Sequence, residues 1–356
     1  MKVDGRKPTM QDIARRCARS VATVSRVLNG TSSSITISEA TRKQILAAAD
    51  ELGFRPNPFA RALRTLRSET LGVVVTESTN PFLASLVQAI EIAARSRGYH
   101  VLPLTATHDD PISTVETTRS AIAMLDALIV LGEPPHHWEL VSESLARQRP
   151  VVYVARETRR RDVLAVYTDN EGGMELLLQH LYRLGHRRIE CIAGPMTADM
   201  KARVATYQSF AKAHQGHYEI RHMSDDFRGG YEAARNLLAN DPPPTAIVAC
   251  DDVMAVGVLR AAHELGFRVP RDLSVVGFDG IALGEYTVPS LTTVLQPVPE
   301  LSQAALDLTV QALDRGSSGK GNLRPVKVEP SLIVRGSSSP PPAKTPKKPE
   351  TEAKTK

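Results

Sequence analysis

The sequence predicts an α/β protein: an all-α head, a body of two α/β lobes, and a disordered tail. Three observations carry this. The first 55 residues hold three short amphipathic segments at helical spacing. From Leu71 onward, short apolar runs alternate with helical stretches, many ending in Gly, the pattern of βαβ units and parallel sheets. Charge divides along the same line. Residues 1–67 carry 13 Lys/Arg against 5 Asp/Glu, whereas the whole chain of 356 residues has a formal charge of only +5.

The head begins at Thr9-Met10-Gln11-Asp12, where Thr9 can cap a helix and Asp12 favours its N-terminus. Ile13, Ala14 and Cys17 then share one face. Ser20 caps a second helix whose inner stripe is Val24, Val27 and Leu28, and Asn29-Gly30 stops it. Residues 31–34 are small and polar, as in a loop. Ser38 caps a third helix, read as burying Ile45, Leu46, Ala49 and Leu52 and ending at Gly53. Pro56-Asn57-Pro58 breaks the chain. Asn57 can cap, and Pro58 can open a short helix where a missing N–H costs nothing. The nine residues 59–67 are too few for a stable isolated helix, which needs about 12–15, so this stretch should order only when something packs on it.

In the body, strands are expected at 71–76, 99–104, 127–132, 150–155, 188–193, 245–250 and 273–278. Helices are expected at 82–97, 171–184 and 252–265. Some 265 residues of this texture are large for one sheet, so two lobes are expected. Beyond Gly336 the chain is rich in Ser, Pro and Lys and should be disordered. The expected domains are 1–57, a hinge at 58–68, a body at 69–335 and a tail at 336–356.

Several classes are excluded by composition. Hydrophobic residues make up 42% and charged residues 23%, which is incompatible with wholesale disorder. No apolar run approaches the roughly 20 residues that span a bilayer. The N-terminus has no apolar h-region, so no secretory signal is read and a cytoplasmic location is expected. Cys17, Cys191 and Cys250 are odd in number and far apart, so neither a disulfide framework nor a zinc ribbon is expected. There is no P-loop, no G-x-G-x-x-G after a strand, no nucleophile elbow and no H-E-x-x-H. No enzyme activity, cofactor or metal is expected.

Two helices joined by the turn Cys17-Ala18-Arg19-Ser20 form a helix-turn-helix, whose second helix enters the DNA major groove. With Val24, Val27 and Leu28 facing inward, the free face is Val21, Ala22, Ser25, Arg26 and Asn29. Arg26 can contact guanine O6 and N7 with both arms of its guanidinium. Val21 and Ala22 suit a thymine methyl group. Thr23, Ser25 and Asn29 suit phosphates, which set register rather than sequence. The competing reading is a plain three-helix bundle with exposed arginines.

The stretches Thr9-Met10-Gln11-Asp12-Ile13-Ala14, Ser20-Val21-Ala22-Thr23-Val24-Ser25-Arg26-Val27-Leu28-Asn29, Leu52-Gly53-Phe54-Arg55-Pro56-Asn57 and Ala60-Arg61-Ala62-Leu63-Arg64 resemble the LacI/GalR family of bacterial transcriptional regulators. The resemblance runs from about residue 9 to 335. It implies a homodimer on a pseudo-palindromic operator, a hinge helix near 58–66 that folds on DNA, and Leu63 as a wedge in the minor groove. Wedge insertion of this kind unstacks one base step and bends the duplex. Thr9, Gln11, Arg19, Ser20, Asn57 and Ala60 join the residues above as candidate DNA contacts. Three departures stand out: Ala18 where the family usually has Gly, Arg19 where it usually has an apolar residue, and Pro58 where it often has Ala. The loop after Asn29 is also about three residues longer than usual.

The resemblance further implies a periplasmic-binding-protein-like body with an effector between its lobes. In parallel sheets, ligands bind beyond the carboxyl ends of strands. The candidates there are Glu77, Phe82, Asp169, Arg203, Asp251 and Asp279. Arg203 and Asp279 match the family's effector-binding arginine and acid, and Phe82 matches a cleft aromatic. Carboxylates with an arginine suit a polyhydroxylated ligand, whose hydroxyls both donate and accept. Adjacent Asp251 and Asp252 without His partners are weak as a metal pair. Trp138, the single tryptophan, is read as far from these strand ends. The acids oppose an anionic ligand, so a neutral or weakly polar molecule is expected. The competing classes are a transport-type solute-binding protein, which secretion would support, and an α/β enzyme, which turnover would support.

Overall fold

The computed structural model describes residues 7–29, 37–55, 62, 67–76, 80–106, 116, 119–133, 137–158, 160–315 and 324–343. The chain divides into two compact units, Met1–Ser68 and Glu69–Lys356.

The head contains α1 (Met10–Cys17), α2 (Val21–Asn29) and α3 (Glu39–Glu51). Thr9 donates from both its backbone N and its Oγ1 to the Asp12 carboxylate, at 2.9 and 2.7 Å. Ser20 Oγ accepts from Thr23 N at 3.1 Å and starts α2. Ser38 Oγ accepts from Thr41 N and starts α3. Ile13, Ala14, Cys17, Val24, Val27, Ile45, Ala48, Ala49 and Phe54 form one buried cluster. The expected inner face of α3 needs one correction. Leu46 is 47% exposed, and Ala48 is buried instead. The buried set follows i, i+3, i+4 from Ile45, and Leu46 falls about 100° off that stripe. The long loop at 30–36 lies outside the described residues. So does the hinge at 58–68, apart from helical Ala62 and residues 67–68.

The body has two six-stranded sheets. The first is ordered β11-β5-β4-β3-β1-β2, from β1 (Thr70–Thr76), β2 (His100–Ala106), β3 (Ala127–Leu131), β4 (Val151–Val154), β5 (Leu164–Thr168) and β11 (Val326–Val328). The second is ordered β12-β10-β9-β8-β6-β7, from β6 (Ile189–Ala193), β7 (Ile220–His222), β8 (Ala246–Ala249), β9 (Ser274–Asp279), β10 (Thr292–Leu295) and β12 (Ser331–Ile333). Every pairing is parallel except β10 with β12. Helices α4 (Pro81–Ser96), α5 (His137–Ala146) and α11 (Val298–Arg315) belong to the first lobe. Helices α6 (Asn170–Leu184), α7 (Ala198–His214), α8 (Phe227–Leu237) and α9 (Asp252–Glu264) belong to the second, and the short α10 (Leu283–Tyr286) follows β9. The chain passes between lobes three times: after β5, after β10 and after β11. Each of the seven expected strands has a counterpart within a few residues. β5, β7, β10, β11 and β12 are additional.

The central strands β3, β4, β6, β8 and β9 are buried at every residue. That explains their continuous apolar runs, since a parallel sheet is covered on both faces.

The expected onset of disorder at 336 is corrected. Ser337 is fully buried. Its Oγ donates to Val275 O at 2.6 Å and accepts from Thr292 N at 2.8 Å. Ser339 N donates to Ser274 Oγ, and Ser339 O lies 2.8 Å from His186 Nε2. Small hydroxyl side chains can line the end of a sheet and satisfy its backbone groups, which composition alone does not reveal. Burial pushes the His186 imidazole down to about 4, so it sits neutral among these partners. Residues 344–356 lie outside the described residues.

Candidate functional site

The head presents α2 as the expected reading face. Val21 is 43% exposed, and Ala22, Arg19, Ser20 and Gln11 are exposed too. Arg26, Ser25, Thr23 and Thr9 are half-buried. An exposed Val and Ala at the start of a helix have nothing to pack on in water. Arg26 and Arg19 make no ion pair among the described residues, whereas Arg16 is paired with Glu51 at 3.1 Å. Three hydroxyls are partly occupied: Ser20 Oγ and Thr23 Oγ1 lie 2.8 Å apart, and Thr9 Oγ1 donates to Asp12. The backbone of Asn29 ends α2. Asn57, Ala60 and Leu63 lie outside the described residues. The turn departs from ease at Ala18, whose φ of 51° and ψ of 45° are left-handed, a region that Gly occupies without a Cβ penalty.

In the body, a cavity of about 120 Å³ lies between the lobes. It is lined at the carboxyl ends of β3, β4, β6, β8, β9 and β10. Phe82, Arg203, Asp251 and Asp279 come together there as expected. Phe82 is also part of the first lobe's buried cluster. Its place is set by Asn80, whose Oδ1 accepts from Phe82 N at 2.9 Å, with Pro81 as the first helical residue. Glu77 lies outside the described residues.

Arg203 is the centre of the cavity wall. It projects from α7 and is 5% exposed. Its Nε donates to Asn170 Oδ1 at 2.8 Å, and its Nη1 donates to Cys250 O and pairs with Asp279 at 3.4 Å. The guanidinium lies 3.6 Å from the centroid of the Phe278 ring. Asp279 also accepts from Gln296 Nε2 at 2.7 Å. Its φ of 115° is unusual for a residue with a side chain, and such strain clusters at ligand sites. Asp251 caps α9, accepting from Met254 N at 2.7 Å. Burial, with Asp279 close by, holds the Asp251 carboxyl well above its ordinary range against the pull of Arg203. Burial raises Asp279 too, opposed first by Arg203. Asp199, on the same wall, is pushed up to about 7 by burial, again opposed by Arg203.

Two expectations are corrected. Asp169 does not line the cavity. It caps α6 by accepting from Gly172 N at 3.1 Å and is paired with Lys327 at 2.9 Å. The next residue, Asn170, turns inward to Arg203 instead. Trp138 is not remote: the Arg156 guanidinium, which lines the cavity, lies 5.1 Å from its ring. Asp252 is diverted from any metal role, because it accepts from Gly280 N, Ile281 N and Thr293 Oγ1 at 2.6–2.8 Å. Among the described residues, no group of three His, Cys, Asp or Glu could hold a metal.

Further cavity residues were not expected from the sequence, among them the charged Glu133, Arg156, Asp199 and Asp225 and the amide Gln296. Glu133 and Arg156 follow β3 and β4, both of which were read as strands, so the rule that flagged Asp279 would have found them. Gln296 follows β10, which was not read as a strand. Glu133 also bridges the lobes, its Oε1 accepting from Ala198 N at 2.9 Å while pairing with Arg156 at 3.4 Å.

The cavity thus mixes fixed acceptors, fixed donors and an aromatic wall. That combination orients a small polar ligand.

Residues 9–57 match the family described as Bacterial regulatory proteins, lacI family, and residues 178–338 match the Periplasmic binding protein-like domain. The chain is 33% identical to the HTH-type transcriptional repressor PurR of Edwardsiella ictaluri (strain 93-146), over 92% of this chain and 96% of that one. It is 30% identical to the ribose operon repressor of Escherichia coli (strain K12), over 93% and 99%. Among solved structures it is similar to the lac repressor dimer bound to operator and the anti-inducer ONPF, with TM-score 0.81 and 26% identity over 94% and 100% of the chains.

Proposed function

This chain belongs to the lacI family of bacterial regulatory proteins, and we propose that a small polar effector in the cleft sets how tightly the head holds operator DNA. It is a sequence-specific DNA-binding regulator under small-molecule control, acting as a repressor and as a homodimer on a two-fold operator. The observation that carries the effector reading is Arg203, buried at a cleft wall and fixed by Asn170, Asp279 and the Phe278 ring. Phe82, Asp251, Asp279 and Gln296 complete the contacts to a hydroxyl-bearing ligand.

On the head, Arg26 reads a base, Val21 and Ala22 meet apolar base edges, and Thr9, Gln11, Arg19, Ser20, Thr23, Ser25 and Asn29 contact the phosphate backbone. The segment 58–68 is the hinge, with Asn57 and Ala60 near DNA and Leu63 as the wedge. The relatives are transcriptional repressors rather than enzymes, and this chain catalyses no reaction. No described helix is long and apolar enough to cross a membrane, in keeping with a cytoplasmic site of action.

Selection of bound fragments from a random DNA pool tests this. A palindromic site with half-sites about one helical turn apart is expected. Failure to enrich any sequence would overturn the reading.

A further inference from the structure

We propose that the effector carries a positively charged nitrogen on a small, hydroxyl-bearing frame. This rests on the reading of the cleft as the effector site. Five carboxylates line that cavity (Glu133, Asp199, Asp225, Asp251 and Asp279) against two guanidiniums, Arg156 and Arg203.

Both guanidiniums are already paired with a carboxylate, although Arg156 Nε makes no hydrogen bond among the described residues. Arg156 pairs with Glu133 at 3.4 Å, donates to His137 Nε2 at 2.7 Å and lies over the Tyr153 ring. Arg203 pairs with Asp279, donates to Asn170 and Cys250 O, and stacks on Phe278. Asp199, Asp225 and Asp251 are left without an ion-pair partner among the described residues, so the lining is formally three charges negative.

Asp251 is the sharpest case. It is only 4% exposed and faces the cavity. One oxygen caps α9, and the other makes no hydrogen bond among the described residues. A carboxylate taken out of water is costly unless a counter-charge meets it. A neutral polyol leaves that carboxyl to be neutralised by a proton alone, and an anion adds repulsion at short range in a medium of low dielectric. A single cation beside Asp251 neutralises that carboxylate, with Asp199 on the same lining. The raised affinity of these two groups for protons is the same demand for positive charge, met by H⁺ when no ligand is present.

Matched probes that differ only in charge test this by calorimetric titration of the full chain. One series is D-glucosamine, D-glucose and D-glucuronate; the other is serinol, glycerol and glycerate. In at least one series the amine should bind tenfold or more tightly than its neutral counterpart, with the anion weakest. Asp251→Asn should cut that preference about tenfold. Asp225→Asn, at the exposed mouth, should reduce it less without affecting the fold. A neutral or anionic member that binds as well as the amine, or the absence of binding by either amine, would overturn the proposal. If such a neutral or anionic ligand also releases operator, the effector cleft stands while its charge preference falls. Probe binding indifferent to Arg203→Lys would count against both.

Discussion

Ala18→Gly should stabilise the head. Ala18 ends α1 in the left-handed region, at φ 51° and ψ 45°, and is exposed. Its amide donates to Arg15 O, and Arg19 N donates to Ala14 O at 3.0 Å, so the turn closes through backbone bonds that Gly keeps. An L-residue held there costs about 1–2 kcal/mol. Gly removes that strain but loses about 0.5–1 kcal/mol through its freer unfolded chain. At mid-range values the net gain is about 0.75 kcal/mol, a factor of about three to four in the local opening equilibrium. Hydrogen exchange of the α1 and α2 amides in the full chain reads this directly: exchange should slow by that factor in Ala18→Gly. Ala18→Val, with a β-branched side chain at positive φ, should accelerate it. Unchanged or faster exchange in the Gly variant would refute the strain argument.

Three other outcomes are expected. Arg26→Ala should lose about 1–3 kcal/mol of preference for the selected operator over random DNA; equal loss on both, measured by fluorescence anisotropy, would remove its base-reading role. Truncation after residue 343 should leave the urea midpoint unchanged. Truncation after Gly336 should lower it, because Ser337, Ser338 and Ser339 strap the chain to β9, β10 and His186; equal midpoints would refute a stabilising role for this serine strap. Between pH 6.5 and 8.5 the body should lose stability as pH rises. Burial raises Asp252 to about 8 and Asp199 to about 7, so the folded chain holds protons there that the unfolded chain, with ordinary Asp values, has released. His186, pushed down to about 4, is neutral in both states above its ordinary value and does not oppose this. A urea midpoint that rises over this range would contradict the sign.

Elements that bury a continuous face were legible in the sequence. Strands such as β6 and β8 read as apolar runs because both faces are covered, and Ser20 and Ser38 announced α2 and α3 by capping chemistry. The strands that escaped are short or polar. β7 is Ile220-Arg221-His222 on an edge, and β10 opens with two threonines that bond to Asp252 and to the serine strap. Their pairing is decided by residues far away in the chain, which local periodicity cannot register. At the cleft, Arg203 and Asp279 were legible through the resemblance and the strand-end rule. Asp169 and Asn170 were not separable, because adjacent residues at a helix start differ only in which one the cap claims. Leu46 shows the same limit on α3, where an apolar residue one position off the stripe faces solvent.

The central claim is that one ligand in the cleft and operator DNA on the head are thermodynamically coupled. The most direct measurement is the effector dissociation constant with and without saturating operator, paired with the operator constant with and without saturating effector. The account predicts the same factor in both directions, about 5–150-fold. It also predicts that Arg203→Lys, which keeps the charge but loses the fork that spans Asn170, Cys250 O and Asp279, weakens effector binding tenfold or more and leaves effector-free operator affinity unchanged. Effector binding indifferent to operator, or unaffected by Arg203→Lys, would contradict it.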